Sequence, residues 1–147
     1  MNKGRAQCLV VRDEKILCVK HRQHGLEYYC LPGGGIEPGE TPKQAAKREL
    51  AEECNVTGYN LKLISKTIHD NHYNYTFFAD IVNQVPMLGE DPECRDNPIL
   101  VGCEWKRLDK LHERDRAYMF SAGIIYLDYF SDELESWGDD ISCPRKR

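Results

Sequence analysis

The stretch from Pro32 to Asn55 constrains this 147-residue chain more than any other part of it. The triple Gly33-Gly34-Gly35 breaks regular structure and reads as a loop. Thr41-Pro42-Lys43-Gln44 is then a helix start: Thr41 caps it, Pro42 suits the first position, and Gln44 completes a capping box. The helix runs to about Cys54, and Asn55 follows where a left-handed residue ends a helix and Asn substitutes for Gly. Within it Glu49, Glu52 and Glu53 stand at i, i+3 and i+4, so their carboxylates project from one face. Three like charges repel, and Lys47 and Arg48 offset only part of that. On this pattern alone two readings stay open, a solvated face or a site for positive charge.

Around this helix the sequence places strands. Apolar runs or alternation mark Cys8 to Val11, Ile16 to Lys20 and Tyr28 to Leu31, with Arg12 to Lys15 as the first hairpin turn. Further strands are expected at Leu61 to Thr67, Tyr75 to Val82 and Leu100 to Lys106. Pro86 to Pro98 reads as a long acidic surface loop, a kind that is often functional. From Arg116 to Trp137 the apolar residues predict a second, C-terminal helix. Strands then helix, twice over, predict an α+β or α/β fold, a mixed sheet covered by helices. The length suits a single domain over residues 1–147, with a frayed tail from about residue 140.

Composition excludes several classes. Hydrophobic residues are 41% and charged residues 30%, which fits a globular chain rather than a collagenous, membrane-spanning or disordered one. No run approaches 18 apolar residues, and Cys8 to Val11 is too short for a signal-peptide core, so a cytoplasmic protein without membrane association is expected. Seven cysteines without a C-x-x-C pair suit reduced thiols. The net charge of -4 argues against binding a large nucleic acid through a broad basic face. Yet Gly34 to Val56 holds five acids and three bases, so half of the excess lies in one segment, where bound cations would reverse the local field.

A glycine-rich turn brings backbone close to an ion or phosphate, and hard cations such as Mg²⁺ prefer oxygen ligands. The spacing of Gly34, Glu40 and Arg48-Glu49-Leu50-Ala51-Glu52-Glu53-Cys54-Asn55-Val56 resembles the box of the Nudix hydrolases, G-x5-E-x7-R-E-U-x-E-E-x-G-U. Every position matches except the late glycine, which is Asn55. The strands before the box and Trp105 to Leu111 after it also resemble the family's layout.

The resemblance implies an α/β/α sandwich with a mixed central sheet, and hydrolysis of a nucleoside diphosphate linked to another group. It assigns Glu49, Glu52 and Glu53 to Mg²⁺ or Mn²⁺, one of them also orienting or deprotonating water. Glu40 becomes an outer ligand or water contact, Arg48 an orienting partner, and the carbonyl of Gly33 or Gly34 completes the metal shell, with Gly35 in the same substrate-binding loop. Family members place the general base on different carboxylates; Glu90, Asp91, Glu93 and Glu104 are the candidates here, with Glu104 best placed if its side chain faces the helix.

Substrate marks are sparse. The upstream signature of coenzyme A pyrophosphatases and the S-Q-P-W-P-F-P of NADH pyrophosphatases are absent, and the first proline beyond the box is Pro86, which lowers an ADP-ribose type. Tyr73 lies 17 residues past Val56, resembling a tyrosine of dinucleoside polyphosphate hydrolases; Tyr73 and Tyr75 are base-stacking candidates, against a plain core role for Tyr75. His21 and His24 flank a loop that can approach substrate, while His69 and His72 lie near the Tyr73 turn. The leading expectation is a Mg²⁺-dependent hydrolase of a small nucleotide, as a monomer or homodimer. Nucleoside triphosphate, dinucleoside polyphosphate and ADP-sugar substrates all stay open. The alternative is a catalytically silent nucleotide sensor, a type that often lacks box acids, whereas all four glutamates are present here.

Overall fold

The helix signalled by its two ends forms as read. In the computed structural model, which describes residues 2–89 and 99–137, α1 spans Pro42–Cys54. The Thr41 hydroxyl accepts from the Gln44 N–H at 3.1 Å, and the Gln44 carboxamide oxygen accepts from the Thr41 N–H at 2.9 Å. Such a cap is worth about 1 kcal/mol. At the other end Asn55 adopts φ 55°, in the left-handed region. Ala45, Ala46, Leu50 and Cys54 turn one face of α1 into the core, small enough for the Cys8 thiol to reach the Ala46 carbonyl at 3.4 Å.

The strands form two sheets. One has the order β5 (Gly33–Gly35), β1 (Asn2–Leu9), β7 (His72–Asp80), β6 (Tyr59–His69). It is mixed, since β1 runs parallel to β7 and antiparallel to β5. In the second sheet β3 (Lys15–Gln23) pairs antiparallel with β2 (Val11–Arg12), β4 (Leu26–Cys30) and β8 (Leu100–Arg107). α1 covers one side over a core that includes Ala6, Leu17, Val19, Leu50 and Phe77. The opposite side buries Leu9, Ile16, Cys18, Met119 and Phe130 beneath the C-terminal segment. This is the expected layering of helices about a mixed sheet.

Two expectations change. The glycine triple is not a loop but the strand β5, with Ala6 opposite Gly34 and Gln7 opposite Gly33. The C-terminal helix is broken: α2 spans Glu113–Ser121, two 3-10 turns follow, and α3 spans only Ser131–Ser136. The break falls at Gly123, whose φ of 106° ends regular helix and whose missing Cβ would stand 2.8 Å from Ser65 Cβ. Glu90, Asp91, Glu93 and the basic tail lie outside the described residues. The five described cysteines are free thiols. Among the described residues no helix is long and apolar enough to cross a membrane.

Candidate active site

β5 and α1 meet at an acidic cleft of about 500 Å³. Its floor depends on two close approaches. A Cβ on Gly33 would stand 2.5 Å from Gln7 Cβ and 2.6 Å from the Ala6 carbonyl oxygen; one on Gly34 would stand 2.5 to 2.9 Å from the Glu49 carboxyl atoms. Glycine at these positions therefore lets β5 lie flat between β1 and the acidic face of α1. At Gly35 a Cβ would meet nothing within 4 Å.

The box side chains converge here. Glu53 is only 5% exposed, and its Oε1 accepts from the Gly33 N–H at 2.7 Å. Arg48 stands among the acids. Its Nε and Nη2 donate to the two oxygens of Glu40 at 2.8 and 3.0 Å, its Nη1 to Glu49 at 2.9 Å and Glu52 at 3.3 Å, and its Nη2 also to the Gly35 carbonyl at 3.0 Å. Hydrogen bonding to Glu40, and then to Glu49, raises the already high pKa of this guanidinium, outweighing its burial. Glu40 thus spends both oxygens on Arg48, and one also accepts from the Glu37 N–H at 3.0 Å. In this geometry Glu40 orients Arg48, and the acids lining the cleft are Glu37 from the loop after β5 and Glu49, Glu52 and Glu53 from α1.

Beyond the box, Arg5 of β1 and His21 of β3 line the same cleft. Arg5 pairs with no acid among the described residues. His21 Nδ1 lies 3.0 Å from Cys30 Sγ, and its ring stands 5.3 Å from that of Tyr28. Burial, and next the charge of Glu53, push the Cys30 thiol up to about 12, so it stays protonated at neutral pH. Sequence had pointed to His21 through its loop, but nothing local marked Arg5; only the pairing of β1 with β5, which sets Arg5 opposite Gly35, brings it to the cleft.

Other candidates lie elsewhere. Cys103, whose sulfur is 3.0 Å from that of Cys54, faces α1 from β8. Glu104, the next residue, therefore points to the other side of the sheet, where it accepts from the Tyr29 hydroxyl at 2.8 Å. The condition that made it the best-placed extra acid is not met. Tyr73 and Tyr75 do not line the cleft: Lys66 Nζ lies over both rings, at 4.4 and 5.5 Å, and Tyr75 packs against the core under α1. His24 is an exposed turn residue, and His69 pairs with Asp70 at the surface.

Among the described residues no group of three His, Cys, Asp or Glu side chains forms a ready-made metal cage. Mg²⁺ rarely needs one, since it keeps several waters and bridges one or two carboxylates to substrate phosphates. The donor set fits a hard cation: four carboxylates, Glu37, Glu49, Glu52 and Glu53, line the cleft with two guanidinium groups, Arg5 and Arg48, and Arg48 also carries the charge of Glu40.

The fold and the sequence are both shared with known proteins. The NAD-capped RNA hydrolase NudC of Edwardsiella ictaluri is 31% identical over 111 residues, 72% of this chain and 40% of that protein. An RNA pyrophosphohydrolase of Blochmanniella pennsylvanica is 38% identical over 65 residues, 40% of this chain and 41% of that one. The chain thus spans about two-fifths of the length of these curated relatives. The crystal structure of a MutT NUDIX hydrolase from Burkholderia pseudomallei has the same fold, with a TM-score of 0.64 and 21% identity over 82% of this chain and 98% of that one. The family model described as the NUDIX domain matches residues 2–127, and on that match this chain belongs to the NUDIX family.

Proposed function

We propose that this chain hydrolyses a pyrophosphate bond in a nucleoside diphosphate linked to another group, with Mg²⁺ or Mn²⁺ held by Glu49, Glu52 and Glu53. The observation that carries this reading is the convergence of those three carboxylates on one cleft, beside a glycine strand that leaves room for them. Nudix hydrolases are generally dependent on divalent metals, which agrees with the excess of acidic over basic side chains lining the cleft. When bound, the cation neutralises charge on the phosphoryl oxygens and the leaving group. Glu53, fixed by the Gly33 N–H, gives the site its rigid edge. Arg48 holds Glu49 and Glu52 in place while Glu40 holds Arg48. A carboxylate of the trio orients the attacking water and takes its proton, and Arg5 meets the substrate's phosphate oxygens as the cleft's remaining cation.

Relatives named for NAD-capped RNA and for RNA pyrophosphohydrolysis widen the substrate class to the 5′ end of an RNA, beyond the free nucleotides expected from net charge. A cleft rather than a basic face suffices for that, because only the terminal nucleotide must enter. The test is a panel of a nucleoside triphosphate, a dinucleoside polyphosphate, ADP-ribose, a 5′-triphosphate RNA and an NAD-capped RNA. Each is incubated with Mg²⁺, Mn²⁺ or chelator, and products are identified by mass. Metal-dependent cleavage between phosphates of one class is expected. Binding of these compounds without any turnover would favour the sensor reading instead.

A further inference from the structure

Asn55, the residue that departs from the box pattern, does more than end α1. Its Nδ2 donates to the carbonyls of both Met87 and Leu88 at 3.2 Å, a clasp that glycine cannot make. These carbonyls belong to a strap, residues 82–89, that follows β7 through a turn at Val82 and lies across the C-terminal end of α1. The strap answers through its own backbone. The Met87 N–H donates to the Cys54 carbonyl at 2.9 Å, and the Gly89 N–H to the Glu53 carbonyl at 2.8 Å. Upstream, the Gln84 side chain bonds both the N–H and the carbonyl of Thr57 at 2.8 Å. Arg12 donates to the carbonyls of Val82 and Gln84. The approach is closest at Gly89, where a Cβ would stand 1.8 Å from the Glu52 carbonyl oxygen.

The last carbonyls of a helix have no partner inside it and are commonly left to water. Here those of Glu53 and Cys54 are taken by a segment more than thirty residues further along the chain, and the turn so pinned is the one that carries Glu52 and Glu53. We propose that Asn55 and Gly89 are positioning residues: the strap fixes the backbone of Glu52 and Glu53 and so sets the geometry in which their carboxylates receive a divalent cation. Neither residue lines the cleft; both act through the end of α1. The proposal rests on the metal reading above.

A plain helix cap and a positioning clasp make different demands of residue 55. A cap needs only the left-handed φ, which Gly supplies; the clasp needs the amide donor. Asn55→Gly therefore keeps the turn and deletes the clasp. Asn55→Asp keeps the size but sets a carboxylate against two carbonyl oxygens, and Gly89→Ala forces the strap off α1. Three readouts apply to the full chain: amide exchange at Met87 and Gly89 by NMR, Mn²⁺ binding from the free-ion EPR signal, and the thermal midpoint. With the two Asn55 hydrogen bonds lost in the first two variants and the strap displaced in the third, exchange at Gly89 should quicken about tenfold and the Mn²⁺ dissociation constant rise about five- to tenfold in each. The midpoint of Asn55→Gly should fall by only a few degrees, because Gly is relaxed at the left-handed φ of residue 55 and so offsets part of the two bonds lost. Mn²⁺ binding by Asn55→Gly within about twofold of wild type overturns the proposal whatever the amides do, as bonds of ordinary strength would have been lost without effect. Wild-type protein that binds no Mn²⁺ overturns the metal reading itself, and this proposal with it.

Discussion

Three adjacent glycines should respond to the same substitution in three different ways. In Gly34→Ala the new Cβ would lie 2.5 Å from Glu49 Oε1, 2.6 Å from Cδ and 2.9 Å from Oε2. Ordinary contact begins near 3.4 Å, so the carboxylate or β5 must give way by close to 1 Å. Glu49 is tied to Arg48 at 2.9 Å, and moving it disturbs the whole charged group. Relieving such an overlap costs about 1–3 kcal/mol, and a misplacement of about 1 Å at a reacting centre costs about a hundredfold in rate. Gly33→Ala meets Gln7 Cβ at 2.5 Å and a backbone carbonyl at 2.6 Å, atoms that cannot swing aside, so it should lose more stability than Gly34→Ala. Gly35→Ala meets nothing within 4 Å and should be silent in both respects. The assay is urea denaturation of each variant beside metal-dependent turnover. Normal turnover in Gly34→Ala, or a Gly35→Ala variant as impaired as Gly34→Ala, would refute the account of how β5 and α1 make the cleft.

Arg48→Ala leaves Glu40, Glu49 and Glu52 without their cation in a partly buried site and should cost about 2–3 kcal/mol, below the range for a fully buried pair. Saturating Mg²⁺ should recover part of that loss, which denaturation with and without the ion would detect. Arg5→Ala should raise KM about tenfold with kcat little changed, as removal of a uniform phosphate contact does, and steady-state kinetics on the substrate found by the panel would check it. Glu104→Gln should keep turnover within about twofold of wild type, since a group on the far side of the sheet makes no contact realised in the transition state.

Much of this was legible in the sequence because it is local. The Thr41 box, the Asn55 stop and the spacing of Glu49, Glu52 and Glu53 are properties of neighbouring residues, and each lies where the sequence predicts it. Strand positions followed where a short apolar run marks a strand buried on both faces, as in Ile16 to Val19. They were missed at Asn2 to Gln7, where the polar start of β1 is held by pairing with β5 and β7 rather than by its own pattern. The C-terminal helix was overextended because apolar residues across Gly123 serve turns and a short helix that share one core without a common period. Long-range register decided the rest. It turns Cys103 rather than Glu104 toward α1, brings Arg5 beside the glycines, and packs a half-buried Tyr75 against the core. The first two cannot be read from residue type or spacing, whereas the core role of Tyr75 was one of the two readings its alternation with Phe77 offered.

The central claim is that Glu53 is an indispensable part of a metal-dependent hydrolytic site, and Glu53→Gln isolates it. A glutamine oxygen can still accept the 2.7 Å bond from the Gly33 N–H, so the fold and the thermal midpoint should persist while the negative charge is gone. Turnover of the panel's substrate at saturating Mg²⁺, wild type against Glu53→Gln, is the decisive measurement. The account predicts a loss of at least on the order of a hundredfold in kcat, as when a preorganised electrostatic group is removed from an active site. Near-normal metal-dependent turnover by Glu53→Gln would contradict it.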